Sequence, residues 1–372
     1  MPEQNKLSLI TLQYINNYGS VLQCYASQAY LEDKGFSVET VNYTRQNCQP
    51  ENLRKTMQAY YLQTFKLPPI SWVLVRRWHR LHQKRHRVFQ QFRDRRLHLS
   101  REYASFEELL EQPPQAQRYC VGSDQVWNYL YNDGVLPEYF LQYAPKGSVK
   151  FSLASSLAVE KLEDEKLGAA MAEYLQDFSL VTVREKSGKE ILDSLGVTNC
   201  HQILDPTLLL TGQKWVADFD LKPLRPYDYV LVYQLNPGKE MSNFARQIAK
   251  KYGCKLIIIS NNIRLTVPGA EVLDNPPVEE FLALLCHARC VVTDSFHGTA
   301  FSLNFHREFF SWMPGKYSTR LMSILELLHL EDRAFTRLDS RWEALGPIDY
   351  HQVDAILARE RQKADRLIQE VL

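Results

Sequence analysis

Short apolar runs alternate with stretches of helical periodicity along most of the chain. Leu7–Leu12 reads as a buried strand, and the polar turn Asn16-Asn17-Tyr18-Gly19 separates it from an amphipathic helix over about Ser20–Lys34. Gly35 follows a last-turn lysine, where a left-handed residue ends a helix, and Phe36–Tyr43 is the next strand. Strand, helix and strand in this order make a βαβ unit with a right-handed crossover. The alternation resumes with strands at Arg118–Val121, Val149–Ala154, Leu180–Val183 and His201–Leu204, with helices at Leu162–Asp177 and Glu185–Leu195. A second series has strands at Tyr229–Leu235, Lys255–Ser260, Cys290–Thr293 and Glu308–Trp312. Its helices are expected at Lys239–Tyr252, Val278–Ala288, His297–Asn304 and Leu321–Leu330, and the amphipathic tail His351–Leu372 closes the chain.

Such alternation predicts an α/β fold with mainly parallel sheets covered on both faces. The prolines around Lys222–Pro226 separate the two series, so the expected domains are 1–210 and 211–372, the second carrying the C-terminal helix. A basic helical insertion is expected at about 51–101. Over residues 76–101 it carries Arg76, Arg77, Arg80, Lys84, Arg85, Arg87, Arg93, Arg95, Arg96 and Arg101 with four histidines, and Trp78, Leu81, Val88, Phe89 and Phe92 interleave at helical spacing. That pattern suits either contact with an anionic membrane or saccharide, or a surface helix with one solvated and one packed face.

Length and charge narrow the classes. The 372 residues suit two domains. Lys and Arg total 44 against 43 acidic residues, which argues against a dedicated nucleic-acid binder. No apolar run is long enough for a spanning helix, and Met1–Ile10 has no secretory h-region. Seven scattered cysteines fit reduced cytoplasmic thiols. Cys286-His287 and Cys290 lack a second pair of ligands at zinc spacing, so no metal is expected.

The candidate chemistry clusters where strands end. In Val291–Ala300 a buried strand gives way to Asp294-Ser295-Phe296-His297-Gly298-Thr299 and a helix. A helix N-terminus attracts anions, so Ser295, Thr299 and the backbone beside Gly298 are placed to hold a phosphate or carboxylate. An anion there favours the charged form of His297, which suits a general acid. An N-cap followed by a packed histidine is the alternative. Arg184, at another strand end, is placed either to grip an oxyanion bidentately or to pair with a neighbouring acid. After Val121, Gly122-Ser123-Asp124-Gln125 makes a tight turn that presents Asp124 and Gln125 to a polar ligand. Trp127 is either a stacking platform for a sugar or a core residue. The turn at Asn17, Tyr18 and Gly19 is placed similarly, with an Asx cap as the alternative. Arg320 precedes an apolar helix and is either a further anion contact or a first-turn surface charge.

Six blocks in order resemble the polysaccharide pyruvyl transferase family: Asn17–Gln23, Val121–Asn128, Phe151–Ser156, Val183–Ser187, Leu204–Leu210 and Thr293–Gly298. The resemblance spans Tyr14 to about Arg333. It implies two Rossmann-like domains in a GT-B-like arrangement with the site in the interdomain cleft. It also implies phosphoenolpyruvate as co-substrate, no cofactor, and a glycan acceptor, often lipid- or nucleotide-linked. His297 and Arg184 match the family's histidine and strand-end arginine. Some members carry a basic residue where this chain has Ser295-Phe296, and Arg320 or Lys186 is positioned to replace that charge. The N-terminal domain becomes the acceptor side, with Asn17, Tyr18, Gly19, Ser123, Gln125 and Trp127 as acceptor contacts and Asp124 as base. The C-terminal domain becomes the donor side. The expected location is cytoplasmic, peripheral to the inner membrane face. A glycosyltransferase using a nucleotide-sugar and a non-catalytic saccharide-binding protein are the competing readings.

Overall fold

The computed structural model describes residues 5–65, 68–236, 238–260, 267–313 and 318–371. In chain order the first series runs β1 (Lys6–Ile10), α1 (Tyr18–Glu32), β2 (Ser37–Tyr43), α2 (Pro50–Phe65), α3 (Pro68–Arg96), β3 (Leu99–Tyr103), α4 (Phe106–Glu111), β4 (Arg118–Val121), α5 (Tyr129–Asn132), β5 (Val149–Ser152), α6 (Glu165–Leu175), β6 (Val181–Val183), α7 (Lys186–Ser194) and β7 (Cys200–Gln202). Two short helices follow, α8 (Pro206–Leu209) and α9 (Gly212–Phe219). The second series is β8 (Tyr229–Gln234), α10 (Lys239–Tyr252), β9 (Lys255–Ser260), β10 (Ala270–Asp274), α11 (Val278–Cys286), β11 (Cys290–Thr293), α12 (Phe296–Asn304), β12 (Glu308–Trp312), α13 (Ser318–Leu327), β13 (Ala334–Phe335) and α14 (Tyr350–Gln369).

Both main sheets are parallel throughout. The first has the order β3-β2-β1-β4-β5 and the second β10-β9-β8-β11-β12-β13, while β6 and β7 form a small third sheet. Strands β1 and β8 come first in chain order and lie inside their sheets. Leu7, Leu9 and Ile10 on β1 and Val230, Leu231 and Val232 on β8 are fully buried, as expected of strands covered on both faces. Asn17 caps α1 by accepting from the Gly19 amide at 2.8 Å, and Gly35 at φ +92° turns the chain after it.

One apolar cluster runs through both halves and packs them together. At its centre Tyr18 of α1 stacks on Phe281 of α11, with centroids 4.0 Å apart and planes within 9°, and its hydroxyl donates to the Pro276 carbonyl. Helix α14 straddles the join. Tyr30 Oη donates to Asp365 at 2.8 Å, Arg361 Nε donates to the Leu208 carbonyl at 2.7 Å, and His306 meets Asp354.

Two differences from the sequence expectation have physical causes. The helical insertion does not reach Arg101. The Thr40 amide bonds the His98 carbonyl, and β3 then adds to the sheet edge, where its exposed Arg101 and Glu102 hide any apolar signal. Edge strands β10 and β13 were not foreseen either, the first because every residue in it is only half-buried and the second because it has two residues. The expected helices crossed residues 66, 67 and 372, which lie outside the described residues. Truncation of Tyr18 to alanine removes a large ring from the interdomain packing. It is expected to lower unfolding free energy by about 3–5 kcal/mol, read from denaturant melts.

Candidate active site

In each main sheet the chain reverses its direction of travel beside the first strand, at β1/β4 and at β8/β11. Loops leaving the C-terminal ends of strands at such switch points diverge and leave a crevice. Here the two crevices face each other. Leu12, Ile15 and Asn17 after β1, Asp124, Gln125 and Asn128 after β4, Leu235 and Asn236 after β8, and Asp294 to His297 after β11 line one cleft of about 500 Å3, which Arg320 and Leu321 of α13 close.

The floor of this cleft is a buried charge cluster. Arg184, at the end of β6, places Nη1 2.8 Å from Asp205 Oδ2, Nη2 3.6 Å from Asp124 Oδ1, and Nε 3.7 Å from Glu185 Oε2. Its side chain is 1% exposed. Each acid is tied down by other donors as well. Asp205 accepts from the Ser123 hydroxyl and from both the amide and hydroxyl of Thr207. Asp124, held at φ +70°, accepts from the Ser20 hydroxyl at 2.6 Å and from the Gln125 amide. Glu185 Oε1 accepts from Ser156 Oγ and the amides of Leu157 and Ala158. Burial works to raise Asp124 and Asp205, but their cationic neighbours outweigh it and hold both carboxyls below the usual range.

His297 stands above this cluster in the first turn of α12. Its Nε2 lies 3.9 Å from Asp205 Oδ2, beyond hydrogen-bond reach, and has no partner among the described residues. Burial drives its pKa down to about 4; the attraction of Asp205 and Asp124 opposes this, and Arg184 and Arg320 reinforce it. The imidazole is therefore neutral at pH 7. The sequence expectation of a charged His297 holds only with an anion bound beside it. Arg320 supplies a nearby cation. Its Nε is buried without a hydrogen bond, and it has no ion pair among the described residues. Burial lowers it to about 10, still protonated at neutral pH. Ser295 Oγ caps the Gly298 amide at 3.4 Å, which leaves the Phe296 and His297 amides without an acceptor among the described residues. Cation, imidazole and two amides converge on one space, an arrangement suited to an oxyanion.

Several candidate residues take other parts. Arg184 does not reach the cleft: its guanidinium lies 5.0 Å beneath the Phe296 ring, which forms the wall, and its charge is spent on three acids. Trp127 is a core residue. It is 1% exposed, stacks on Phe140, and donates Nε1–H to the Tyr139 carbonyl. The exposed ring at the cleft is Tyr131 instead, 43% exposed and backed by Arg45 at 5.0 Å. Tyr18 belongs to the interdomain packing, and Ser123 is buried against Asp205. Thr299 is fully buried and bonds Ser311. Gly298 is required by Thr293, whose Oγ1 would lie 2.4 Å from a Cβ, and not by ligand approach. Lys186 is exposed and pairs with Glu190 at 3.7 Å, away from the cleft lining. Gly19 has its reason in His297: a Cβ there would sit 2.0 Å from Nδ1. Asn17, Asp124, Gln125, Ser295, His297 and Arg320 do line the cleft.

Two residues of the site escaped the sequence reading, and the part taken by a third, Asp294, was not foreseen. Asp205 and Glu185 received no role, although the Asp-Pro-Thr that starts α8 marks Asp205 as a polar residue in an apolar run. Asp294 accepts from the Leu235 and Asn236 amides at 2.6 and 2.7 Å and so fixes the β8 loop against β11, a long-range bond with no local signal. Among the described residues no group of three His, Cys, Asp or Glu could hold a metal ion.

The sequence profile of the family described as polysaccharide pyruvyl transferase matches residues 17–312, most of the chain. No curated protein matches the chain significantly. Solved structures are similar over nearly its whole length. Arabidopsis thaliana UGT89C1 in complex with UDP-L-rhamnose has a TM-score of 0.50 at 11% identity, with 100% of both chains covered. UDP-N-acetylglucosamine 2-epimerase from Rickettsia bellii has a TM-score of 0.46 at 10% identity, covering 99% of this chain and 96% of its own. The UDP-GlcNAc 2-epimerase from Methanocaldococcus jannaschii gives 0.46 at 11%, covering 95% and 92%. At these identities the likeness concerns the fold, which is GT-B-like.

The depressed pKa of His297 has a stability consequence. The unfolded chain binds the imidazole proton more tightly than the folded one, so acidification from about pH 6.5 towards 4 costs stability through this group. His297→Gln is expected to flatten the fall in melting temperature across that window. An unchanged slope would show that the ring already titrates normally in the folded protein.

Proposed function

The chain belongs to the polysaccharide pyruvyl transferase family, and on that premise we propose that it transfers the pyruvyl group of phosphoenolpyruvate to sugar hydroxyls of a glycan, forming a pyruvate ketal in cell-surface or exopolysaccharide synthesis. The observation that carries this reading is the convergence on one cleft of His297 Nε2, Arg320 Nε and the amides at the start of α12, all without partners among the described residues. Phosphoenolpyruvate brings a phosphate and a carboxylate attached to one carbon. Arg320 and the Phe296 and His297 amides hold those oxygens, and the ligand's negative charge raises the proton affinity of the neighbouring imidazole.

The protonated His297 gives its proton to the methylene carbon of the donor, and the adjacent carbon acquires oxocarbenium character. A sugar hydroxyl attacks that carbon as its proton passes to Asp124, and a C–O bond forms. Phosphate then departs with the electron pair of its C–O bond. A second hydroxyl of the same sugar adds to the restored oxocarbenium and loses its proton, which closes the ketal. The two protons released by the hydroxyls replace the one spent on carbon and leave one for solvent or phosphate. Asp124 faces the cleft with one oxygen hydrogen-bonded to Ser20, and Arg184 keeps it ionised. Tyr131, exposed at the rim, offers a face for the acceptor ring.

Peripheral contact with an anionic membrane is part of the same proposal. No described helix is long and apolar enough to cross a membrane. In the hairpin of α2 and α3, however, Tyr60, Trp72 and Val73 are each more than half exposed beside exposed Arg76, Arg77 and Arg80.

Turnover is checked by phosphate release from phosphoenolpyruvate across a panel of glycan acceptors, with mass spectrometry of the product. His297→Ala is expected to cut it by about 10²–10⁴-fold while circular dichroism stays native. Wild-type turnover in that variant rejects the acid role, and release of a nucleoside diphosphate from a nucleotide-sugar rejects pyruvyl transfer. For the membrane contact, co-sedimentation with vesicles rich in phosphatidylglycerol is expected, reduced by Trp72→Ser and by high salt. Equal binding to zwitterionic vesicles would dispose of the electrostatic part.

A further inference from the structure

A second groove, of about 480 Å3, opens from the cleft on the side of the first domain and shares Ile15 and Asn17 with it. Its far wall is the inner face of α3, which contributes Arg85, His86 and Arg93, and Glu102 of β3 is the acid on its lining. Arg93 is buried, yet all its hydrogen bonds go to neutral acceptors: the Gln90 and Asn16 side-chain oxygens and the Gln13 carbonyl. Arg85 Nε is buried without any hydrogen bond. Neither guanidinium has an ion pair within 4.0 Å among the described residues, whereas Lys84 and Arg95 of the same helix are paired with acids of the second domain, Asp274 and Glu279.

This is the reverse of what packing favours. A buried cation is normally compensated by a carboxylate, because desolvation of an unpaired charge is costly. Arg184 obeys that rule with three acids in contact, whereas Arg93 feels only Asp94 and Arg85 only Asp274, neither within ion-pair distance. Burial pulls Arg93 down to about 10, and burial together with Arg93 lowers His86 below its ordinary value. Uncompensated positive potential in a groove leading to the cleft calls for a negative group that arrives with a ligand.

We infer that this groove is an anion subsite that binds a phosphate or diphosphate group carried by the acceptor saccharide, with Arg85 and Arg93 as its cations. Two guanidiniums match the several oxygens and multiple charge of a phosphate better than a single carboxylate. Ile15 and Asn17 are common to both spaces, so an acceptor anchored in the groove extends its sugar towards the cleft that holds His297. The acceptor assignment rests on the pyruvyl-transfer reading; the anion subsite does not.

The test reads binding alone, with inorganic pyrophosphate as the probe and calorimetry as the measurement. The background variant is Arg320→Gln, whose cleft has lost its free cation, so that the groove is read by itself. Pyrophosphate is expected to bind there, and adding Arg85→Gln or Arg93→Gln is expected to raise Kd about tenfold or more. Arg85 is only half-buried, so its variant keeps the test decisive even where Arg93→Gln fails to fold. Absence of binding in the Arg320→Gln background, or an unchanged Kd on adding Arg85→Gln, overturns the subsite. Uridine diphosphate and farnesyl diphosphate, titrated in parallel, distinguish a nucleotide-borne from a lipid-borne group by which of them gains over pyrophosphate. Phosphate release from phosphoenolpyruvate plays no part in this readout, so failure of the transfer reaction and failure of the subsite are separate results.

Discussion

The site rests on the burial of one guanidinium. Arg184 has almost no contact with water, and three carboxylates from three chain segments make that tolerable. Asp124 comes from the turn after β4, Glu185 from the residue that follows Arg184, and Asp205 from the entry to α8. Removing one partner of such a cluster strands the others, at about 3–5 kcal/mol, so the three segments are held in a fixed relation. Three acids against Arg184 and Arg320 leave one negative charge. The attraction of that charge opposes, without outweighing, the burial that keeps His297 neutral, and a bound anion adds to it.

The same region requires the two domains to meet closely. Gly19 lies in the first turn of α1 in the first domain, and His297 in the first turn of α12 in the second. They approach so closely that no side chain fits between them. The residue before Gly19, Tyr18, carries the stacking on Phe281 that joins the domains. Positioning of the imidazole and docking of the domains are thus one event, and a site of this kind is absent from either half alone.

Much of this was legible from sequence because it is local. Strand ends marked by Asp294-Ser295 and Gly122-Ser123-Asp124 announced where a parallel α/β sheet presents polar groups, and the structure brings those turns together. Partner identity was not legible. Arg184 reads the same whether it faces a ligand or three acids, and only the position of Phe296 decides. Gly298 invited a ligand argument, but its constraint is Thr293, five residues back and folded against it. Trp127 and Tyr131 lie four residues apart, and nothing in their spacing tells which is sealed behind Phe140 and which faces the cleft. Edge strands were missed because exposed pairing carries no apolar signature.

The basic helix α3 shows how one element serves two environments. A chain with a net charge of +1 concentrates nine Lys and Arg residues in Pro68–Arg96 against the single acid Asp94. Phe89 and Phe92 are fully buried and anchor the helix to α1, which turns Arg85 and Arg93 towards the groove and leaves Arg76, Arg77, Arg80 and Arg87 in solvent. Solvated arginines cost little, since water screens them. Inward ones are a different matter: among the described residues Arg93 meets only neutral acceptors and Arg85 Nε meets none, where Arg184 receives three carboxylates. Stability alone would not retain that difference, since replacing a buried unpaired charge by an apolar side chain is favourable. A ligand-borne anion in the groove is the account we infer for it, while the solvated arginines of the same helix need none.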